Sequence, residues 1–285
     1  MMTVFLRLML GLVAFALVAP VSSATYGPLA PGAISMSEQS GVRAEICRDH
    51  LVNPSLLNVK IPQGYRLSRA SELAAEDPKL AELLARSPDL GGYFAGSLCF
   101  MLVENFDVDG VRVISAKGAS SMAFWWARAS RIGEPDARMQ GKSQWLQLAS
   151  WYANEGTDQA RIARTDPMAQ FVPIEVSELK PGVWRARLQL AGEIVEASIL
   201  VTGPHEKRKA AEPGFMTVPF TGESANFFTV FTYFGHHHAA ATGKWSASGA
   251  GAFTQAFGTP GEAETFETFF QSRWQARAAL YQFNH

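Results

Sequence analysis

Apolar and polar side chains alternate in several short runs of this 285-residue chain, and a period of two marks strands that bury one face. Trp184, Ala186, Leu188 and Leu190 stand opposite Arg185, Arg187 and Gln189, and Ala191-Gly192 permits reversal into a strand over 193–201. A hairpin is predicted there. The apolar run 98–106 meets Asp107-Val108-Asp109-Gly110 and returns through Val111 and Val113. Asp-Gly favours a tight turn because glycine accepts positive φ, so a further hairpin is expected.

Residues 122–127 hold Phe124, Trp125 and Trp126, bulk that suits a strand contacting packing layers on both sides or lining a cavity. Two more strands are predicted over 215–220 and 226–234, the latter carrying Phe227, Phe228, Phe231, Tyr233 and Phe234. Helical signals intervene. Ser71 is placed to cap a short helix, Asp77-Pro78 restarts it, and Ser87-Pro88 ends it. Trp145, Leu148, Ala149 and Tyr152 recur at helical spacing. Near the C-terminus, Thr259, Pro260 and Glu262 form a cap signal. Phe266, Phe270, Trp274, Ala278 and Tyr281 follow on one helical face, predicting a helix that seals a sheet. The Gly/Ser/Ala-rich passage 239–251 reads as a solvated loop or a cavity rim.

No fixed-period repeat joins these units. The expected class is α+β: one β-rich domain with a curved antiparallel sheet or incomplete barrel, flanked by helices.

Composition narrows the class of protein. Hydrophobic residues make up 47% and charged residues 18%, too apolar for a disordered chain. Lys plus Arg total 25 against 26 for Asp plus Glu, with one short basic run at Lys207, Arg208 and Lys209. Nucleic acid is therefore excluded as an expected partner, since a phosphate-binding face gathers positive charge.

Arg7 precedes an apolar stretch over 8–19, Pro20 breaks it, and Ser22 and Ala24 offer small side chains before Thr25. That is the grammar of a cleaved signal peptide over 1–24. An extended lead-in over 25–40 and a globular domain over 41–285 follow. The apolar run is shorter than the roughly 20 residues that span a bilayer. Stable transmembrane insertion is not expected, and the destination is periplasmic or secreted. In such a compartment Cys47 and Cys99 can persist as a disulfide, with two separately buried thiols as the alternative.

Chemistry is thinly signalled. His236-His237-His238 follows the aromatic strand; if the strand continues, His236 and His238 share a face and His237 takes the other. No HExxH, close cysteine pair or EF-hand loop accompanies them, and no metal is assigned. The GxSxG elbow is absent, and Ser177-Glu178-Leu179-Lys180 lacks an accompanying KTG. Gly249-Ala250-Gly251 lacks the strand-turn-helix setting of a dinucleotide site, so no cofactor is assigned. Glu104, with Asp107, Asp109 and Arg112 nearby in sequence, is a candidate for proton transfer.

Ile61-Pro62-Gln63-Gly64-Tyr65, the acidic helix with Glu76-Asp77-Pro78, and the run 98–106 together resemble the N-terminal portion of acetoacetate-decarboxylase-like domains. The resemblance covers the first half of the mature chain. It implies a curved β-rich fold around an apolar cavity for small acids. It also implies, for members that decarboxylate, a lysine of depressed pKa that forms a Schiff base with a keto acid. Lys117 is the nearest match here, while Gly133-Glu134-Pro135-Asp136 carries Asp136 where a lysine would complete the pattern.

Three functions follow. The first is an exported binding or accessory protein for a small hydrophobic or weakly acidic molecule. Its contacts would be Trp125, Trp126, Phe228, Phe231 and Tyr233, with Arg128 or a histidine orienting the acid. The second is a small-acid lyase or hydrolase using Lys117 or His236, assisted by Glu104. The third is a structural envelope protein whose aromatic C-terminal helix meets a protein partner.

Overall fold

Strand β1 runs unbroken for 18 residues, Ser35–Val52, and the sheet is built on both of its edges. The structure is a computed structural model that describes residues 33–53, 61, 65–113, 118–131, 146–165, 169–208, 216–219, 227–233, 236–251, 253–254, 265–273 and 276–282. After β1 come β2 (Tyr65–Leu67), α1 (Ala70–Leu73), α2 (Pro78–Arg86), β3 (Phe94–Val108), β4 (Val111–Arg112), β5 (Ser120–Arg131), β6 (Leu146–Asn154), α3 (Gln159–Thr165) and β7 (Gln170–Val172). They continue as β8 (Ile174–Lys180), β9 (Val183–Leu190), β10 (Glu193–Val201), β11 (Glu206–Arg208), β12 (Met216–Pro219) and β13 (Phe227–Tyr233). The last are β14 (His236–Gly249), β15 (Thr265–Ser272) and β16 (Ala276–Gln282).

One edge of β1 pairs with β3, and the other pairs with β16 over its first residues and β15 over its last. Pairings run from β3 through β5, β6, β12, β13 and β16 back to β1, which nearly closes a barrel. At β15 the sheet branches instead into β14, β10, β9 and β8. Among the described residues every pairing is antiparallel except those of β6 with β12 and β7. No described helix is long and apolar enough to cross a membrane.

Each barrel strand has two faces because successive side chains alternate. Ala44 and Ile46 of β1, Leu98 and Phe100 of β3, and Ala123, Trp125 and Ala127 of β5 pack with Trp184, Leu188, Val195 and Ile199 of the branch. A second sheet that packs on a ring of strands lies outside it, so these residues form the outer face. The alternate positions, among them Cys47, Cys99, Met101, Met122 and Phe124, form a separate cluster on the lumen face with Ala276 of β16. Toward the end of β1, Leu51 and Ala95 continue that face under Leu80 and Leu83 of α2. Two short helices thus cover one end of the lumen.

Both hairpins occupy their expected places. β3 turns into β4 through Asp109 at φ 48° and Gly110 at φ 80°, and β9 pairs with β10. The Asp77-Pro78 start of α2 is also as expected, with Asp77 Oδ1 accepting from Lys79 N at 3.0 Å and Leu80 N at 3.1 Å.

Three expectations are overturned. The C-terminal helix is two strands, β15 and β16, both paired with β1. Its i, i+4 aromatic spacing is an even number, so it equally satisfies one face of a strand, and the long-range pairing decides. The same ambiguity explains Leu148 and Tyr152, which lie in β6 rather than a helix. The passage 239–251 is mostly β14. There Gly243 lies so close to β10 that a Cβ would stand 2.4 Å from Ser198 O. Close backbone approach selected the small residues. A smaller shift is that α1 is entered from Arg69 rather than capped by Ser71. The Thr259-Pro260 signal lies outside the described residues.

Candidate functional site in the barrel lumen

The register of four strands sets one polar row across the lumen face. Asp49 of β1 pairs with Glu267 of β15 and Ser97 of β3, and Ser97 pairs with Trp126 of β5. Cys47, Cys99 and Phe124 occupy the next row, where the two cysteines are joined by a disulfide. Arg128 stands two residues beyond Trp126 on β5 and therefore shares its face. Helix α2 closes over the row. Lys79 Nζ pairs with Glu267 Oε1, and Asp77 sits at the helix start.

Burial dominates the electrostatics. It pushes the Asp49 carboxyl up to about 7, against the opposing Ser97 hydrogen bond; the Glu267 and Asp77 carboxylates raise it further and Lys79 lowers it. Its Oδ1 is buried without a hydrogen-bond partner. Burial also lowers Arg128 to about 10, while the carboxylates of Glu76, Asp77 and Asp49 pull the other way. A carboxyl group of raised pKa thus shares a face with a guanidinium that feels its charge, two strands from an indole. Such a constellation can hold an anion and move a proton on it.

The outer face carries a different polar pair. His50 of β1 is fully buried; its Nε2 accepts from Trp125 Nε1 at 3.2 Å, and its Nδ1 lies 3.0 Å from Arg48 O. Desolvation holds this imidazole down at about 3, so it is a neutral packing group.

Trp126 and Arg128 are thus brought together, whereas Trp125 turns to the opposite face. Glu104 is exposed on β3, with Arg43 Nε 3.7 Å from its Oε1. His236 opens β14, its backbone opposite Arg208, and Phe228, Phe231 and Tyr233 lie on β13. The side chains of these four lie outside the described residues, as does Lys117 altogether. Asp107 pairs with Arg112 at 3.3 Å, and both carboxylate oxygens of Asp109 accept from Ser35 Oγ at 2.8 Å, so both support the turn. Among the described residues, Glu45, Cys47 and Cys99 bring potential metal-ligand atoms within 4.8 Å of one another. The disulfide leaves those cysteines without a thiolate to offer.

Asp49 and Ser97 were not singled out from the sequence. For Asp49 the signal was the charged run Arg48-Asp49-His50 between the apolar pairs Ile46-Cys47 and Leu51-Val52. Buried positions hold charge only where the surroundings compensate it.

No protein-family model matches the chain, and no curated protein does. Solved structures show weak, partial similarity to acetoacetate-decarboxylase-like folds at low sequence identity. Acetoacetate decarboxylase matches at 8% identity over 87% of this chain and 88% of that one, with a TM-score of 0.47. The enduracididine biosynthesis enzyme MppR with HEPES buffer bound matches at 13% identity over 89% and 87%, with a TM-score of 0.45. An acetoacetate decarboxylase-like enzyme from Sphingomonas wittichii RW1 matches at 10% identity over 94% and 98%, with a TM-score of 0.44.

Proposed function

We propose that the barrel lumen is an acid–base site for a small organic acid, and that the protein is a small-acid lyase in the broad sense. Arg128 holds the substrate carboxylate, Trp126 forms the apolar wall, and Asp49 gives or takes the proton. The observation that carries this reading is the shared face of Asp49 and Arg128: a carboxyl raised to about 7 by burial, and a guanidinium that its charge reaches. A general acid or base works best with a pKa near the operating pH. Lys117 would supply the amine for a Schiff base, and Glu104 belongs to the solvent-facing side.

Ligand binding without turnover uses the same Arg128 and Trp126 and differs only in leaving Asp49 idle. Export is part of the proposal as well. A disulfide between Cys47 and Cys99 is what an oxidising compartment preserves.

The test is a proton NMR assay of the mature chain with acetoacetate, pyruvate and benzoate, followed by borohydride treatment and mass measurement. Turnover of a keto acid that is lost in both Arg128→Gln and Asp49→Asn supports the lyase. A borohydride-stable adduct on Lys117 adds the amine step. Saturable binding with no turnover, lost in Arg128→Gln alone, selects the binding reading. Turnover or binding unaffected by either substitution refutes the site.

A further inference from the structure

A cavity lies away from the lumen row. It is an open groove of about 880 Å³ where the end of the branch meets residues 40–43 of β1. That volume falls within the range of small-molecule sites. Its walls include Glu104, Arg43, Glu178, His205, His237 and Arg273, and its floor includes Trp184 and Phe270. Asp49 and Arg128 do not line it. Along β1, Arg43 and Asp49 are six positions apart, roughly 20 Å at strand rise.

The carboxylates in the groove are already engaged. Glu104 Oε1 lies 3.7 Å from Arg43 Nε, and Glu178 Oε1 accepts from Gly182 N at 3.0 Å. The remaining donors are not. Arg273 and His237 have no side-chain hydrogen bond or ion pair among the described residues, and His205 makes only an edge contact to Phe270 with centroids 5.7 Å apart. The position of Arg273 is unusual for its residue type. It is exposed, in the left-handed region at φ 54°, held there by its N–H donating to Val42 O at 2.7 Å. Asparagine or glycine would adopt that backbone at less cost. That an arginine occupies a strained position on the groove rim argues for a use of its guanidinium there. The floor is aromatic, with the Trp184 and Phe270 rings inclined at 36° and their centroids 5.6 Å apart.

We propose that this groove is a second binding site, for an aromatic carboxylate. Arg273 takes the carboxylate, the rings of His205 and His237 donate or accept at its flanks, and the ligand ring lies on Trp184 and Phe270. The site is independent of the lumen, so its occupancy does not require the lumen chemistry.

The test is isothermal titration of the full mature chain with 2-naphthoate and with its uncharged analogue 2-naphthamide. The naphthoate binds saturably, and the amide binds about tenfold more weakly or less, because a charge-assisted contact is lost. Arg273→Asn, which suits the backbone of this position, weakens naphthoate by about tenfold and leaves amide binding unchanged. Arg273→Lys keeps part of the affinity, and Arg128→Gln, which alters only the lumen, keeps all of it. Equal affinity for acid and amide overturns the proposal, as does full affinity in Arg273→Asn or the absence of naphthoate binding. Loss of naphthoate binding in Arg128→Gln with retention in Arg273→Asn would assign the ligand to the lumen instead and also overturns it.

Discussion

Trp125 donates its indole N–H to Nε2 of His50 at 3.2 Å, across two strands of the outer face. An indole nitrogen is only a donor, so Nε2 carries no proton and Nδ1–H must donate to Arg48 O at 3.0 Å. One contact thereby sets the tautomer of a fully buried ring. Trp125→Phe removes this donor from a buried acceptor, which costs about 1–3 kcal/mol. Urea unfolding of the two proteins at pH 7.5 measures it; an unchanged midpoint and slope would show that the bond contributes nothing.

Asp49 and His50 are neighbours with opposite pH behaviour. The folded carboxyl of Asp49 titrates at about 7 against an ordinary 3.8, so the folded state binds its proton more tightly. Its contribution to stability is complete below about 4 and is lost as pH rises toward 7. His50 titrates at about 3 against an ordinary 6.5, so its contribution is complete above about 6.5 and is lost as pH falls toward 3. Asp49→Asn keeps the shape and removes the charge. It is expected to stabilise the protein at pH 8 by about 1–3 kcal/mol and to give no advantage at pH 4. Denaturation curves at the two pH values decide; a loss at pH 8 that exceeds the loss at pH 4 would show that Asp49 is needed ionised.

The disulfide joins β1 to β3 in the row next to Asp49 and Ser97. Its sequence separation of 52 residues closes a long loop in the unfolded chain. Replacing both cysteines by alanine should cost about 2–5 kcal/mol. The oxidised wild type, the reduced wild type and the double variant compared by calorimetry give the answer; identical melting temperatures would contradict it.

Gly96 lies opposite His50 on β3. A Cβ there would stand 2.7 Å from Trp126 O and 3.5 Å from Trp125 Nε1. Gly96→Ala must therefore push β5 away from β3, at a cost of about 1–3 kcal/mol. Near-ultraviolet circular dichroism should report the displaced tryptophans together with the lost stability. A variant as stable as wild type with an unaltered spectrum would show that the strands yield freely.

The hairpins were legible because turn chemistry is local: Asp109-Gly110 and Ala191-Gly192 carry their own backbone instruction. The Asp77-Pro78 helix start was legible for the same reason. The alternating faces of β9 and the barrel-like class followed from period two. What escaped was non-local. Phe266 and Phe270 satisfy a helix and a strand equally, and only their distant partner β1 distinguishes the two. Trp126 and Arg128 were recognisable as candidates from bulk and charge. Asp49 was not, because its raised pKa comes from burial under α2 and from Glu267, which the register brings in from far along the chain.

The most direct test of the lumen site is a carbon-13 NMR titration of the Asp49 carboxyl in the protein, with and without acetoacetate. A midpoint near 7 that moves when the acid is added is the predicted result. A midpoint in the ordinary carboxylate range, unmoved by the acid, would contradict a proton-carrying Asp49 beside an anion held by Arg128.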